Sequence, residues 1–322
     1  MNYTVIEPDM GQAYARIISG IAGQSPADVD KKKVIGLFRE YGAVLFRGFL
    51  LNQDTLNQLT AQFCSGFVTN TTPGRILVSQ DGRTQSVNTS SEAFPLHPEM
   101  SQVPWRPDIA WFACASPPIT GGETTLCDGI ALANALPSEL REMLEARSFL
   151  YKRRIDKREC EYWLGIKNPT AEDMERSSDI KPYRFSINNG IYYKSYQTPV
   201  LHRPMYSQEL AFGSFLLFRR LMHKEYNYPT FEDESIVPDS IVNIIKDVSE
   251  QITIGHVWQQ CDILMIDNTR FMHGRAPIAD PKQRRIVTQF GYASFHPEFD
   301  SLVEAEPWRI DPRILASPLV QF

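Results

Sequence analysis

The sequence predicts an α+β protein whose core is a double sheet, a jelly roll or double-stranded β-helix, with flanking helices and a lid-like insertion. Three observations point there. Short β-type runs recur between Ala43 and Ala293 and are flanked by amphipathic helical stretches, the pattern of a layered sheet protein. Polar triplets of histidine and acid fall near the expected strand ends. A polar, tyrosine-rich segment, residues 150–235, lies between sheet strands without regular periodicity, as an inserted lid or substrate-binding region does. The 322 residues suffice for one elaborated domain over 1–322, with the lid at 150–235.

Asp30 heads an amphipathic helix over residues 30–41, with Val34, Leu37 and Phe38 apolar and Gly42 as its stop. An apolar strand follows over 43–49. Asp54 is the expected cap of a second helix, whose inner side carries Leu56, Leu59 and Phe63. Residues 64–96, rich in Thr, Ser, Asn and Gly, read as pocket-rim loops with one short strand at 75–79. A buried strand at 107–115 ends at Pro117-Pro118, and the Gly121-Gly122 turn leads into a β-segment reaching Asp128. Leu132, Leu136, Leu140, Met143 and Leu144 mark one helix, and Leu210, Leu217, Leu221 and Met222 mark another within 207–227. Pro238-Asp239 opens a helix through Val248. β-type runs at 251–258 and 262–266, a turn at Asp267-Asn268 and a final strand over 284–293 complete the chain.

A net charge of -5 spread over intermixed signs gives no basic face for nucleic acid or an anionic membrane. The run Lys152-Arg153-Arg154 is short and reads as a solvated helix end or local ion-pair partner. Glu7 and Asp9 stand where a signal peptide needs basic residues, and no apolar run approaches the about 18 residues of a membrane span. The expected location is cytoplasmic. Five cysteines, an odd number with no C-x-x-C pair, suit buried thiols in a reducing compartment rather than a zinc site. The partner classes left open are a small-molecule substrate and a homo-oligomer.

Three His-x-acid triplets occur: His97-Pro98-Glu99, His223-Lys224-Glu225 and His296-Pro297-Glu298. An imidazole and a carboxylate two positions apart share a side only on extended backbone, which Pro98 favours by keeping His97 out of the helical region. The second triplet falls in the expected helix, where such side chains diverge by roughly 200°. The third has no later histidine to complete a set and reads as a surface turn. Only the first has a distant partner, His273, giving two histidines and one carboxylate. That set leaves three positions of an octahedral Fe(II) open, enough for a bidentate 2-oxo acid plus O2. The far carboxylate of such an acid needs a cationic fork, and Arg284 or Arg285 can supply it.

Leu96-His97-Pro98-Glu99-Met100, Gly121-Gly122-Glu123-Thr124, Asp267-Asn268 through His273-Gly274-Arg275, and Arg284-Arg285-Ile286-Val287 together resemble the taurine dioxygenase and clavaminate synthase superfamily of Fe(II)/2-oxoglutarate oxygenases. The glutamate at the third triplet position and the His-Gly-Arg string are most similar to the branch that hydroxylates amino acids or carrier-bound aminoacyl groups in natural-product pathways. The resemblance implies His97, Glu99 and His273 as iron ligands and Thr124 as a hydrogen-bond partner of the 2-oxoglutarate carboxylate. For the anchoring arginine it leaves two readings. The spacing of 11 residues from His273 selects Arg284, whereas the local Gln-Arg-Arg-Ile string selects Arg285. The two lie on opposite faces of a strand, and the reading leans to Arg284.

Two departures narrow the implied chemistry. The place of the sulfonate-binding arginine falls on Thr288 or Gln289, which disfavours a sulfonate substrate. Glu99 fills the position that halogenating relatives leave open for chloride, which favours hydroxylation of an unactivated C–H in an amino-acid-like or carrier-tethered substrate. Desaturation or cyclisation, and a zinc hydrolase on the same three ligands, are the alternatives. Arg275 reads as a structural ion-pair partner, Trp105, Trp111 and Trp258 as core or pocket wall, and His202 and His256 as hydrogen-bonded packing residues. Ser90, Ser91, Glu92 and Gln102 flank the first triplet and could meet a substrate amine.

Overall fold

The computed structural model describes residues 3–6, 15–70, 75–177 and 183–295. Among these, the strands in chain order are β1 (Thr4–Ile6), β2 (Arg16–Ser19), β3 (Ala43–Arg47), β4 (Cys64–Phe67), β5 (Gln85–Ser86), β6 (Phe94–His97), β7 (Ile109–Ser116), β8 (Thr124–Asp128) and β9 (Ser148–Ile155). They continue with β10 (Arg184–Asn188), β11 (Ile191–Pro199), β12 (Leu201–His202), β13 (Ala211–Phe212), β14 (Thr230–Phe231), β15 (Ile254–His256), β16 (Ile263–Asp267), β17 (Phe271–Arg275) and β18 (Arg285–Ala293). An eight-stranded sheet runs β1-β2-β3-β16-β7-β18-β4, with β5 also on β18, and a four-stranded sheet runs β15-β8-β17-β6.

These two sheets pack against each other. Leu45, Ala110, Phe112, Leu264, Ile286 and Phe290 of the larger sheet share one buried cluster with Leu126 and Phe271 of the smaller. Alternate residues of the same strands, Val44, Phe46, Trp111, Ile263 and Met265, face the other way onto Val34, Phe38, Leu56, Leu59 and Phe63, which belong to helices α1 (Lys31–Tyr41) and α2 (Gln53–Phe63). A strand covered on both faces needs apolar residues at every position, which is why 43–46 reads as an unbroken run.

The helix caps follow local chemistry. Asp30 accepts from Lys32 N at 2.8 Å, and Gly42, at φ 73, closes α1 with its N–H on Phe38 O at 2.8 Å. A Cβ at 42 would stand 2.7 Å from the Phe271 ring, so glycine serves both the left-handed backbone and the approach of β17. The cap of α2 is Asn52 rather than Asp54, because Asn52 and Thr55 exchange side-chain and backbone hydrogen bonds in a capping box. Asp54 sits in the first turn, where its charge complements the helix dipole.

Several other expectations are corrected. At 75–79 there is only a bridge from Leu77 to Gln85. The helix expected through Leu132 and Leu144 is two, α3 (Gly129–Ala135) and α4 (Ser138–Glu145), since Pro137 cannot continue the first. Segment 150–235 is more ordered than its composition implied, forming a four-stranded antiparallel sheet β10-β11-β9-β14 with α5 (Lys157–Leu164), α6 (Ala171–Ser177) and a β12-β13 pair. Within 207–227 only α7 (Leu216–Leu221) is helical, and Lys224 has φ 57. His223 and Glu225 are therefore not splayed on a helix, and their Nδ1 and Oε1 atoms lie 3.9 Å apart. The helix after Pro238 forms as α8 (Asp239–Ile252). The His296-Pro297-Glu298 triplet, Glu7 and Asp9 lie outside the described residues.

Candidate metal centre

The antiparallel register of β17 on β6 sets His273 opposite His97, with ring centroids 4.6 Å apart. Gly274 makes this approach feasible: a Cβ there would fall 2.4 Å from Phe94 O and 2.8 Å from Thr125 Oγ1. Gly274→Ala is expected to push the two strands apart, lowering stability by about 2 kcal/mol and weakening metal binding with it. Thermal melts with and without Mn(II) check both effects.

His97 holds Pro95 O at 2.8 Å through Nδ1, which leaves Nε2 as the atom presented inward. Burial, reinforced by His273, pushes the His97 imidazole down to about 3, so at neutral pH it carries the lone pair a metal requires. The strand ends at His97, and Glu99 stands in the following turn beside Met100 at φ 53. Asn268 clamps that turn, accepting from Glu99 N at 2.7 Å and donating to Glu99 O at 3.0 Å and Pro107 O at 2.8 Å. Donor atoms of His97, Glu99 and His273 consequently lie within 4.8 Å of one another, all three residues buried. Metal–ligand bonds of about 2.0–2.2 Å put two ligand atoms up to about 4.4 Å apart, so the set needs little adjustment to close on an ion.

Two partners of Glu99 escaped the sequence reading. Arg75 Nη2 donates to its oxygens at 3.0 and 2.9 Å, and Asn70 Nδ2 forms a short hydrogen bond to Oε1. Burial alone would raise the Glu99 carboxyl, but Arg75 and the His273 imidazole 3.7 Å away hold it well below the usual carboxylate range. Both partners come from the polar 64–96 segment, whose composition flagged a pocket rim without singling out residues.

The Asp267-Asn268 turn carries a charge of its own. Burial pushes the Asp267 carboxyl up to about 6 despite hydrogen bonds from Thr269 N and Oγ1. The folded chain thus binds this proton more tightly than the unfolded one, whose aspartate titrates near pH 3.9. The stability this supplies is complete below about pH 4 and lost as pH rises through about 6. Asp267→Asn is expected to flatten that loss, worth about 3 kcal/mol at most, as melts across this range would record.

Arg284 precedes β18 and is 8% exposed, whereas Arg285 is exposed on the opposite face, across from Ser116. Arg284 donates through Nε to Gly122 O at 2.9 Å and through Nη2 to Thr124 Oγ1 at 3.2 Å. Trp258 Nε1 donates to the same hydroxyl at 3.0 Å. With both lone pairs occupied, the Thr124 hydroxyl has its own proton left to give. Burial, aided by Arg275, lowers the Arg284 guanidinium to about 10. It remains a cation at neutral pH, and no carboxylate pairs with it among the described residues, a costly state unless an anion arrives.

Arg284, Thr124 and the three candidate ligands open onto one cavity of about 670 Å³. Phe94, Phe215 and Phe218 form its apolar wall around His97, with ring centroids 5.3, 5.1 and 4.9 Å from the imidazole. Lys152, Arg153 and Arg154 are on β9 and line the cavity rather than ending a helix. Arg275 forms no ion pair among the described residues. It pins the rim by donating at 2.6 Å to each of Asn88 O, Ser90 O and Glu92 O. Gln102 lines the cavity too, while Trp105 is pocket wall, Trp111 is core, and His202 bonds Thr269 O at 2.8 Å.

A family model described as taurine catabolism dioxygenase TauD, TfdA family matches residues 4–289. The chain belongs to the TauD/TfdA family. It is therefore an oxygenase that uses Fe(II), with 2-oxoglutarate and O2 as cosubstrates, and the buried His-Glu-His donor set fits that iron. Among similar proteins, a clavaminate synthase-like protein of Arabidopsis thaliana is 27% identical over 77% of this chain and 81% of its own. The dapdiamide synthesis protein DdaC of Enterobacter agglomerans is 22% identical over 83% of this chain and 88% of its own. The crystal structure of PvcB from Pseudomonas aeruginosa superposes with a TM-score of 0.58 at 16% identity, covering 90% of this chain and 91% of that one. The likeness to PvcB places this TauD/TfdA member in the same fold. None of its described helices is long and apolar enough to cross a membrane.

Proposed function

We propose that His97, Glu99 and His273 hold Fe(II), that Arg284 and Thr124 bind the distal carboxylate of 2-oxoglutarate, and that the enzyme hydroxylates an unactivated C–H of an amino-acid-like substrate in natural-product biosynthesis. The observation that carries the reading is a buried three-donor set beside a buried guanidinium with no carboxylate partner among the described residues, in one cavity. A zinc hydrolase would leave Arg284 and the Thr124 proton without a role. The double sheet supports a jelly-roll core, and segment 150–235, whose Tyr151, Lys194 and Tyr228 line the cavity, serves as its lid. A relative named for dapdiamide synthesis and the fold shared with PvcB, an oxygenase from an isonitrile synthetic pathway, support the biosynthetic role.

Bound iron supplies the two-electron oxidation in which C–H, O2 and 2-oxoglutarate become C–OH, succinate and CO2. The chain positions and shields. Asn268 and Pro95 fix two ligands, the phenyl wall excludes water from the reacting carbon, and Thr124 donates while Arg284 supplies charge to one fixed carboxylate. Anaerobic addition of Fe(II) and then 2-oxoglutarate to the protein is expected to give a weak visible charge-transfer band. A colourless mixture would defeat the assignment.

A further inference from the structure

Among the described residues, six that line the cavity, Arg75, Gln102, Arg219, Tyr228, His273 and Arg275, each carry a buried polar atom without a hydrogen-bond partner there. Such atoms are rare in folded proteins and call for a ligand or a strained role. Arg75 and His273 touch Glu99, and Arg275 lies near Arg284. The Nε of Arg219 and the hydroxyl of Tyr228 belong elsewhere, on α7 and on the approach to β14. The Arg219 guanidinium lies over the Tyr228 ring, 5.2 Å from its centre, so the two side chains are neighbours on one side of the cavity.

We infer that Arg219 and Tyr228 form a subsite for the carboxylate of a free-acid substrate, an inference that rests on the function proposed above. Both groups donate hydrogen bonds and one is a cation, which together select an anion. The nearby acid, Glu225, reaches Arg219 Nη1 only at 3.4 and 3.5 Å. It balances the charge without engaging Nε, and its carboxylate at the rim is a counter-charge for an ammonium group. Phe215 measures the span: its ring lies 5.1 Å from the His97 ring and 5.8 Å from the Arg219 guanidinium. The guanidinium and the imidazole thus flank the same ring, no further apart than those two distances together, a gap that an apolar amino acid laid along the wall can enter with its carboxylate on Arg219 and its side chain toward the metal centre. A carrier-tethered aminoacyl group presents a neutral thioester in place of the carboxylate and would leave Arg219 Nε unmet, so the geometry points to the free acid.

The holoenzyme with Fe(II) and 2-oxoglutarate is to be tested with the apolar and aromatic L-amino acids and their methyl esters, reading succinate release and ligand-induced thermal shift. Free acids, and not their esters, are expected to respond. Arg219→Leu is expected to raise KM for a responding acid about 100-fold, Tyr228→Phe about 10-fold, with Arg219→Lys between them. The 2-oxoglutarate affinity read from the visible band should stay within a factor of about two, which also certifies the fold of each variant. Esters that respond as well as acids, an unchanged KM in Arg219→Leu, or no responding acid in a wild type that forms the band would each overturn the subsite. A wild type without the band would instead remove the function on which it rests.

Discussion

His97→Ala is expected to abolish the Fe(II)/2-oxoglutarate absorption and to cut coupled succinate release by at least about 1000-fold, beyond the 10- to 100-fold typical of losing an outer hydrogen-bond partner. The reason is the donor count. With one imidazole gone, Glu99 and His273 remain, and Glu99 is already held by Arg75 and Asn70. Stability should fall as well, by about 2 kcal/mol, because the buried His97 ring packs on Phe94, Phe215 and Phe218. Fe(II) titration followed at equilibrium measures the affinity, and near-normal binding would show that His97 is packing rather than a ligand.

Arg284→Leu should raise KM for 2-oxoglutarate about 100-fold, the worth of one charge-assisted pair in a buried site. Arg284→Lys should recover part of the loss, since it restores charge without the fork. Stability is expected to move the opposite way or not at all. In the wild type the guanidinium is desolvated against neutral partners, Gly122 O and Thr124 Oγ1, and replacing such a charge with an apolar side chain is neutral or favourable by about 1 kcal/mol. A large fall in melting temperature together with an unchanged KM would make Arg284 a structural residue.

Much of the frame was legible because its signals are local. The strands around Ala43, Ile109 and Ile263 are apolar runs bounded by Gly, Pro or Asp, and a sheet buried on both faces leaves that mark in any order of assembly. Where two local signals competed, the reading failed. Asp54 had the chemistry of a cap, but the exchange between Asn52 and Thr55 sets the cap two residues earlier. The apolar spacing over 207–227 fitted a long helix, yet the chain turns at Lys224 to bring Tyr228 to the cavity. Segment 150–235 lacked periodicity because its strands bury one face on aromatic clusters and expose a charged one, a pattern blurred by Tyr, Lys and Arg side chains that are partly both.

By itself the sequence determined which residue types could meet a metal and a keto-diacid, because the choice of His, Glu, Thr and Arg and the two-residue spacing at Pro98 are covalent facts. Tertiary structure alone decided which of them converge. The β6–β17 register places His97 beside His273, the alternation at the head of β18 buries Arg284 and turns Arg285 outward, and the 64–96 segment folds Arg75 and Asn70 onto Glu99. Those outcomes depend on pairings between residues far apart in the chain, 176 positions for His273 with His97 and 182 for Gly291 with Ile109. Contacts of that range are set by which faces can be buried together, and no local stretch of chain encodes them.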